Sequence, residues 1–172
     1  MNRYLEAVKQ FHENFNHPIN EKNDDIPLKL RQLRIKLLFE EIEELAEATD
    51  CKATFSELCS ESMSKSVDGE TRDKKEEIDA LADIQYVLSG AVLAMGHHEN
   101  FDDAFEEVQR SNMSKMCANM QEALDTQQWY VERDGTESTI TEKGDKFIVL
   151  RKGDNKILKN KYYSPADLEQ YV

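Results

Sequence analysis

The sequence predicts a mainly α protein, a helical bundle carrying a small C-terminal β-hairpin or sheet. Two observations give the bundle. Long stretches near residues 27–48 and 72–95 repeat apolar side chains at helical spacing. A third observation gives the appendage. After Trp129 the pattern shifts to KFIVLR, rich in β-branched and aromatic residues, followed by a Gly153-Asp154-Asn155 turn signal.

The elements follow in order. Residues 1–16 read as an amphipathic helix through Tyr4, Leu5, Val8, Phe11 and Phe15. His17-Pro18 ends it, because a residue before proline avoids the α region. Asp25 is a candidate N-cap with Pro27 in the first turn of the next helix. That helix carries Leu30, Leu33, Leu37, Leu38, Ile42 and Leu45 on one broad apolar arc. Phe55, Leu58, Cys59 and Met63 fit a short helix, and 64–70 a loop. The second long helix buries Leu81, Ile84, Leu88, Val92 and Met95 and stops at Gly96. Asn100 or Asp102 caps a third, with Phe105, Val108 and Met116 facing inward. Lys146–Arg151 is a strand, 156–159 its returning partner and 138–141 a third strand. Ser164-Pro165 opens a last helical turn. The division expected is an α domain over 1–125 and a β-containing appendage over 126–172.

Composition narrows the function. The chain has 172 residues, 39% hydrophobic and 33% charged, with a formal net charge of −13. Such acidity argues against a general nucleic-acid binder, whose affinity comes from Lys and Arg neutralising phosphates. It leaves open a phosphorylated small molecule bridged by metal. No apolar run approaches the ~20 residues that span a bilayer, and no secretory h-region opens the chain. The three cysteines, Cys51, Cys59 and Cys117, form no CxxC pair and suit a reducing cytoplasm.

The chemistry lies in two acidic stretches, LLFEEIEELAEA at 37–48 and EEIDALADIQYVL at 76–88. Projected at about 100° per residue, Glu41 and Glu44 fall among Leu30, Leu33 and Leu37. Glu40, Glu43 and Glu47 fall on a face without apolar residues. On the second stretch Glu76, Asp79 and Asp83 share one axial stripe. Burying a carboxylate costs several kcal/mol unless it is compensated, and like charges in one seam repel. Hard oxygen ligands in that arrangement call for Mg²⁺, with Mn²⁺ as an alternative. The contrary reading is that an isolated EExxE string is a solvated face. Two stripes, each set in an apolar arc, favour metal. A di-iron centre would need Glu-x-x-His pairs, and none of His12, His17, His97 or His98 has a glutamate three residues before it.

EEIEELAEA followed by EEIDALADIQYVL resembles the all-α nucleoside triphosphate pyrophosphohydrolases. This MazG-like superfamily includes phosphoribosyl-ATP pyrophosphohydrolases and dimeric dUTPase-like enzymes. Its signature is EExxE, then ExxD on a following helix. Glu40-Glu41-Ile42-Glu43-Glu44 matches the first part. The second matches as Glu76-x-x-Asp79, or in a register centred on Asp83, which places Ala80 where a glutamate is expected. FEEVQRSNMSK and KGDNKILKNKYYSPADL resemble further blocks of phosphoribosyl-ATP pyrophosphohydrolase-like proteins.

The resemblance implies metal-dependent cleavage of a nucleotide between its α and β phosphates. It implies Glu41, Glu44, Glu76, Asp79 and Asp83 as metal ligands, and Glu40 and Glu41 as catalytic carboxylates. Asn112, Lys115, Lys159, Lys161 and Tyr163 become substrate-binding candidates, as amide, cationic and aromatic groups in an acidic chain. The assembly it implies is a homodimer or a dimer of dimers. Hydrolysis of phosphoribosyl-ATP, or a non-catalytic helical interaction module, are the competing readings.

Overall fold

The computed structural model describes residues 2–20, 26–51 and 73–171. Asp25, the segment bearing Phe55, Leu58, Cys59 and Met63, and the loop 64–70 lie outside them. Five helices and one hairpin are present among the described residues: α1 Arg3–Asn14, α2 Leu28–Ala48, α3 Lys74–Ala94, α4 Phe101–Met113, α5 Met120–Asp134, β1 Ser138–Lys143 and β2 Lys146–Arg151. A single 3₁₀ turn follows at Glu169–Tyr171, later than the Ser164-Pro165 start expected. No helix among the described residues is long and apolar enough to cross a membrane.

Helix ends follow local chemistry. Asn2 caps α1 by accepting the Leu5 N–H, and Asp73 caps α3 by accepting the N–H groups of Lys75 and Glu76. Asn119 caps α5 through the Glu122 N–H, while the Glu122 carboxylate reaches back to the Ala118 N–H. Three helices stop in the same way, with Asn16, Asp50 and Gly96 in left-handed geometry. The next N–H in each case returns to a carbonyl five residues earlier, namely His17 to His12, Cys51 to Ala46 and His97 to Val92.

The chain forms two compact units, Met1–Ile19 with Gln85–Val172, and Asn20–Ile84. The first is built around β2. Ile148 and Val149, neighbours on that strand, are both fully buried and face opposite sides. Ile148 packs with Phe15 and Met116, flanked by Phe11, Met113, Leu150 and Ile157. Val149 packs with Cys117, Ala123, Tyr130 and Leu158. Both edges of β2 are occupied. One pairs antiparallel with β1, from Ser138 opposite Arg151 to Lys143 opposite Lys146. The other meets Cys117 at Phe147 and Ile157 at Leu150. Residues 156–159 are therefore a bridge and not a full strand, because the chain turns off after Leu158. Gly144, with φ +62°, opens the two-residue hairpin loop, where a type II′ turn needs positive φ.

α1 lies on α4 in this unit. The Tyr4 and Phe105 rings meet edge-on at 4.6 Å, the Tyr4 hydroxyl donates to Asp102, and Gln109 donates to the Ala7 carbonyl at 2.9 Å. Leu5 and Val8 are exposed, so the packed face is Tyr4, Ala7, Phe11 and Phe15.

The apolar periodicity of the sequence does not predict α5. Its buried positions are Ala123, Thr126 and Tyr130, whereas Met120, Leu124 and Val131 point outward. The boundary expected between residues 125 and 126 falls inside it. A polar node fastens α5 to the tail. Buried Asn160 donates to the Met116 carbonyl at 2.9 Å and accepts the Tyr162 N–H at 2.9 Å. Thr126 donates to the Glu122 carbonyl at 2.7 Å and accepts the Lys161 N–H at 3.0 Å. Asn160→Ala leaves the buried Met116 carbonyl short of a donor. It is expected to lower stability by about 1–3 kcal/mol, read as a lower urea midpoint at constant m-value.

Candidate functional site

Two groups of polar side chains stand out, one acidic and one basic. The acidic group lies on α2 and α3. Glu41 and Glu44 are one turn apart on α2, and Glu76, Asp79 and Asp83 occupy positions i, i+3 and i+7 of α3, so each set shares a helix face. All five are exposed. None lies within ion-pair distance of a Lys or Arg among the described residues. Glu40 differs, since it pairs with Lys36 at 3.3 Å along α2.

The apolar arcs expected to bury these faces are exposed too. Leu37 is 40% exposed, Ile42 48% and Leu45 41%, and on α3 Leu81, Ile84 and Leu88 are comparably open. Ala46 is the one buried residue of α2. The apolar periodicity does form helices, and among the described residues few neighbours cover it. Among the described residues no three His, Cys, Asp or Glu side chains come together as a metal cage. The donor set itself fits a hard divalent cation, being all oxygen, paired at helical spacing and uncommitted to other cations.

The basic group is assembled at the C-terminal end of α4. Ser111, at the last turn, is buried and shares a 2.8 Å hydrogen bond with the Tyr163 hydroxyl. Lys159 lies over the Tyr163 ring, its ammonium 4.4 Å from the centroid. Lys115 follows the helix, donates to Asn112 Oδ1 at 2.8 Å and sits 5.5 Å from the centre of the Phe11 ring. Burial pushes the Lys115 ammonium below its ordinary pKa, and the charges of Lys159 and Lys156 push the same way while Tyr163 opposes them. Of the residues expected to bind substrate, Asn112, Lys115, Lys159 and Tyr163 thus meet in one place. Lys161 instead is held by its backbone to Thr126, with its ammonium beside the Tyr162 ring. Sequence reasoning missed Ser111 and Lys156.

The tail holds Tyr163 in place by running back along α4. Ser164 bonds Ser114 by both its N–H and its carbonyl, Arg110 donates to the Pro165 carbonyl at 2.9 Å, and the Asp167 N–H donates to Glu107 at 2.9 Å. Glu107 also takes two 2.7 Å bonds from Arg110. The Arg110 guanidinium, then the Asp167 N–H, lower the Glu107 carboxyl from 4.5 to about 2. A carboxyl depressed on folding stabilises the fold above its unfolded pKa, and that stabilisation is lost as pH falls from about 4.5 toward 2. Glu107→Gln should therefore melt earlier than the parent chain near neutrality, and the gap should close across that interval in a melting-temperature series against pH.

Comparisons with known proteins bear on family and fold. The family model described as phosphoribosyl-ATP pyrophosphohydrolase matches residues 8–112, more than half of the chain. An uncharacterized protein, L479, of Acanthamoeba polyphaga mimivirus is 38% identical over 69 residues. That stretch is 37% of this chain, which spans 28% of the viral protein. Among solved structures, that of a candidate NTP pyrophosphohydrolase from Exiguobacterium sp. 255-15 superposes with a TM-score of 0.62 at 24% identity, covering 96% of this chain and 89% of the other. At that identity the likeness establishes the fold, a mainly α one.

Proposed function

The chain belongs to the phosphoribosyl-ATP pyrophosphohydrolase family, and from that premise we propose that it is a metal-dependent nucleoside triphosphate pyrophosphohydrolase. It would cleave between the α and β phosphates, giving a monophosphate and pyrophosphate. The observation that carries this reading is the pair of uncommitted carboxylate sets, Glu41 with Glu44 and Glu76 with Asp79 and Asp83, within the family-matched residues.

Those five carboxylates would hold Mg²⁺, with Mn²⁺ as a substitute. The metal would polarise the phosphates and lower the pKa of a bound water. The chain's own part is to present oxygen ligands at helical spacing and to accept the proton of the attacking water. Glu41 and Glu40 are the candidates for that acceptor. Glu40 must first release Lys36. Asn112, Lys115, Lys159 and Tyr163 would orient the nucleotide, with Lys161 at their margin.

The open arcs support a homodimer or dimer of dimers. Ile35, Ile78 and Val87 are each 64–68% exposed, large apolar side chains left to water on these helices. A helix apolar on most sides is one that packs on several neighbours. Cys51 and Cys117 are free thiols, in keeping with a cytoplasmic location.

Phosphoribosyl-ATP is the second candidate substrate, favoured by the description of the matching family. A panel of nucleoside triphosphates plus phosphoribosyl-ATP, assayed for pyrophosphate with Mg²⁺ or Mn²⁺, decides between them. Pyrophosphate should appear with metal and vanish with EDTA. Glu44→Gln and Asp83→Asn should each lower turnover by at least about 100-fold if both ligate the metal. Turnover unaffected by either variant would remove these carboxylates from the metal site, whereas no turnover of any nucleotide, with a melting temperature that metal does not raise, would favour the interaction-module reading. Sedimentation equilibrium should give at least twice the 19.9 kDa chain mass, and a monomer at micromolar concentration would remove the dimer.

A further inference from the structure

We propose that the outer edge of β1 pairs antiparallel with β1 of a second copy of the chain, about a two-fold axis through Ile140. The two hairpins then form one continuous sheet. The inference is independent of the pyrophosphohydrolase reading and of the open arcs on α2 and α3.

The ladder between the two strands sets the geometry. β1 pairs with β2 from Ser138 opposite Arg151 to Lys143 opposite Lys146. In an antiparallel pair, successive residues turn their N–H and carbonyl groups to opposite edges. Phe147, Val149 and Arg151 bond away from β1, to Cys117, Leu158 and Lys156. The residues opposite them, Glu142, Ile140 and Ser138, therefore turn their backbone groups to the outer edge of β1. The Ser138 carbonyl accepts Gln127 Nε2 there at 2.7 Å. The N–H and carbonyl groups of Ile140 and Glu142 meet no partner among the described residues. Glu142 is exposed and Ile140 half-buried.

An open strand edge is a template for another strand unless something blunts it. β1 contains no proline and pairs with β2 residue for residue, without a bulge. Thr139, Ile140 and Thr141 are β-branched and favour extended backbone. The partner chemistry is thus an extended polypeptide, held first by backbone hydrogen bonds.

Charge chooses which polypeptide. Read outward from Ile140, the strand is nearly its own complement. A two-fold axis there sets Ile140 against Ile140 of the second copy, Thr139 against Thr141, Ser138 against Glu142 and Glu137 against Lys143. Charges ordinarily guard a strand edge, but this axis brings opposite charges together at both ends. Lys143 has no carboxylate within ion-pair distance among the described residues. Glu137 continues the ladder, its carbonyl accepting the Lys152 N–H, and its carboxylate holds Lys152 through one oxygen at 2.9 Å. The other oxygen is left for Lys143 of the second copy. Neighbouring registers fit worse. An axis at Thr141 sets Glu137 against Asp145, and an axis at Glu142 sets that residue against itself. In the register through Ile140 the two Ile140 residues exchange backbone bonds. Each Glu142 N–H then meets the opposing Ser138 carbonyl, which has a second lone pair to offer.

The test is amide hydrogen exchange of the full chain over a range of concentrations, with sedimentation equilibrium alongside. Thr139 and Thr141 bond inward to β2 and should be protected throughout. Ile140 and Glu142 should gain protection at least about tenfold as the second copy binds. Glu142→Pro removes an outward N–H and keeps the ladder to β2. Lys143→Glu sets like charges across the axis. Each should raise the dissociation constant at least about tenfold and release the Ile140 amide, with Thr139 and Thr141 still protected. If a variant fails to fold, exchange in the parent chain decides alone. Fast exchange of Ile140 and Glu142 at every concentration overturns the proposal even if the chain is a dimer, because a dimer joined through α2 and α3 leaves that edge open. Protection that Lys143→Glu leaves unchanged overturns it as well, because some other strand or register then covers the edge.

Discussion

The interaction on which most of the structure depends is the burial of β2 on both faces. Ile148 and Val149 are adjacent, point opposite ways and are each sealed from water. One anchors a cluster with Phe15 and Met116, the other a cluster with Ala123 and Tyr130. A strand in that position must have its backbone satisfied at both edges, because an unpaired buried N–H or carbonyl costs about as much as a lost hydrogen bond. β1 supplies one edge, and Cys117 with residues 156–158 supplies the other. The hairpin that reads in sequence as an appendage is the piece around which α1, α5 and the tail are arranged.

This explains which parts were legible in advance. KFIVLR announced a strand by composition, and its uninterrupted apolar run is what two-sided burial requires. The long helices α2 and α3 were equally plain, because their apolar residues recur at helical spacing whether or not a partner covers them. α5 was hidden because its buried face is Ala123, Thr126 and Tyr130 while larger apolar residues face out, so periodicity pointed the wrong way. Thr126 is inside because Glu122 and Lys161 satisfy its hydroxyl, and no single-sequence pattern reveals a partner 35 residues away.

The candidate site divides in the same manner. Helical projection separated Glu41 and Glu44 from Glu40, yet all three are exposed, and what distinguishes Glu40 is its pairing with Lys36. Projection says which residues share a face, and nothing about what the face meets. The basic cluster was partly legible from Asn112, Lys115, Lys159 and Tyr163. Ser111 and Lys156 needed the fold, since their relevance arises from the tail crossing back over α4. Acidic and basic chemistry are thereby separated along the chain. The carboxylates sit on two long helices, and the ammoniums at a helix end and a returning segment.

The tail's path along α4 has a consequence for how the molecule comes to be folded. Phe15 shares a core with Ile148, Ser111 bonds Tyr163, and Glu107 holds Asp167. Contacts so distant in sequence must close large loops before they are repaid, and such topologies fold slowly. During synthesis the amphipathic α1 emerges more than a hundred residues ahead of the strand that covers Phe15. Until β2 arrives, that aromatic surface is open to solvent and to whatever meets nascent chains. Of the elements described, α1 is made early and its packing is completed late.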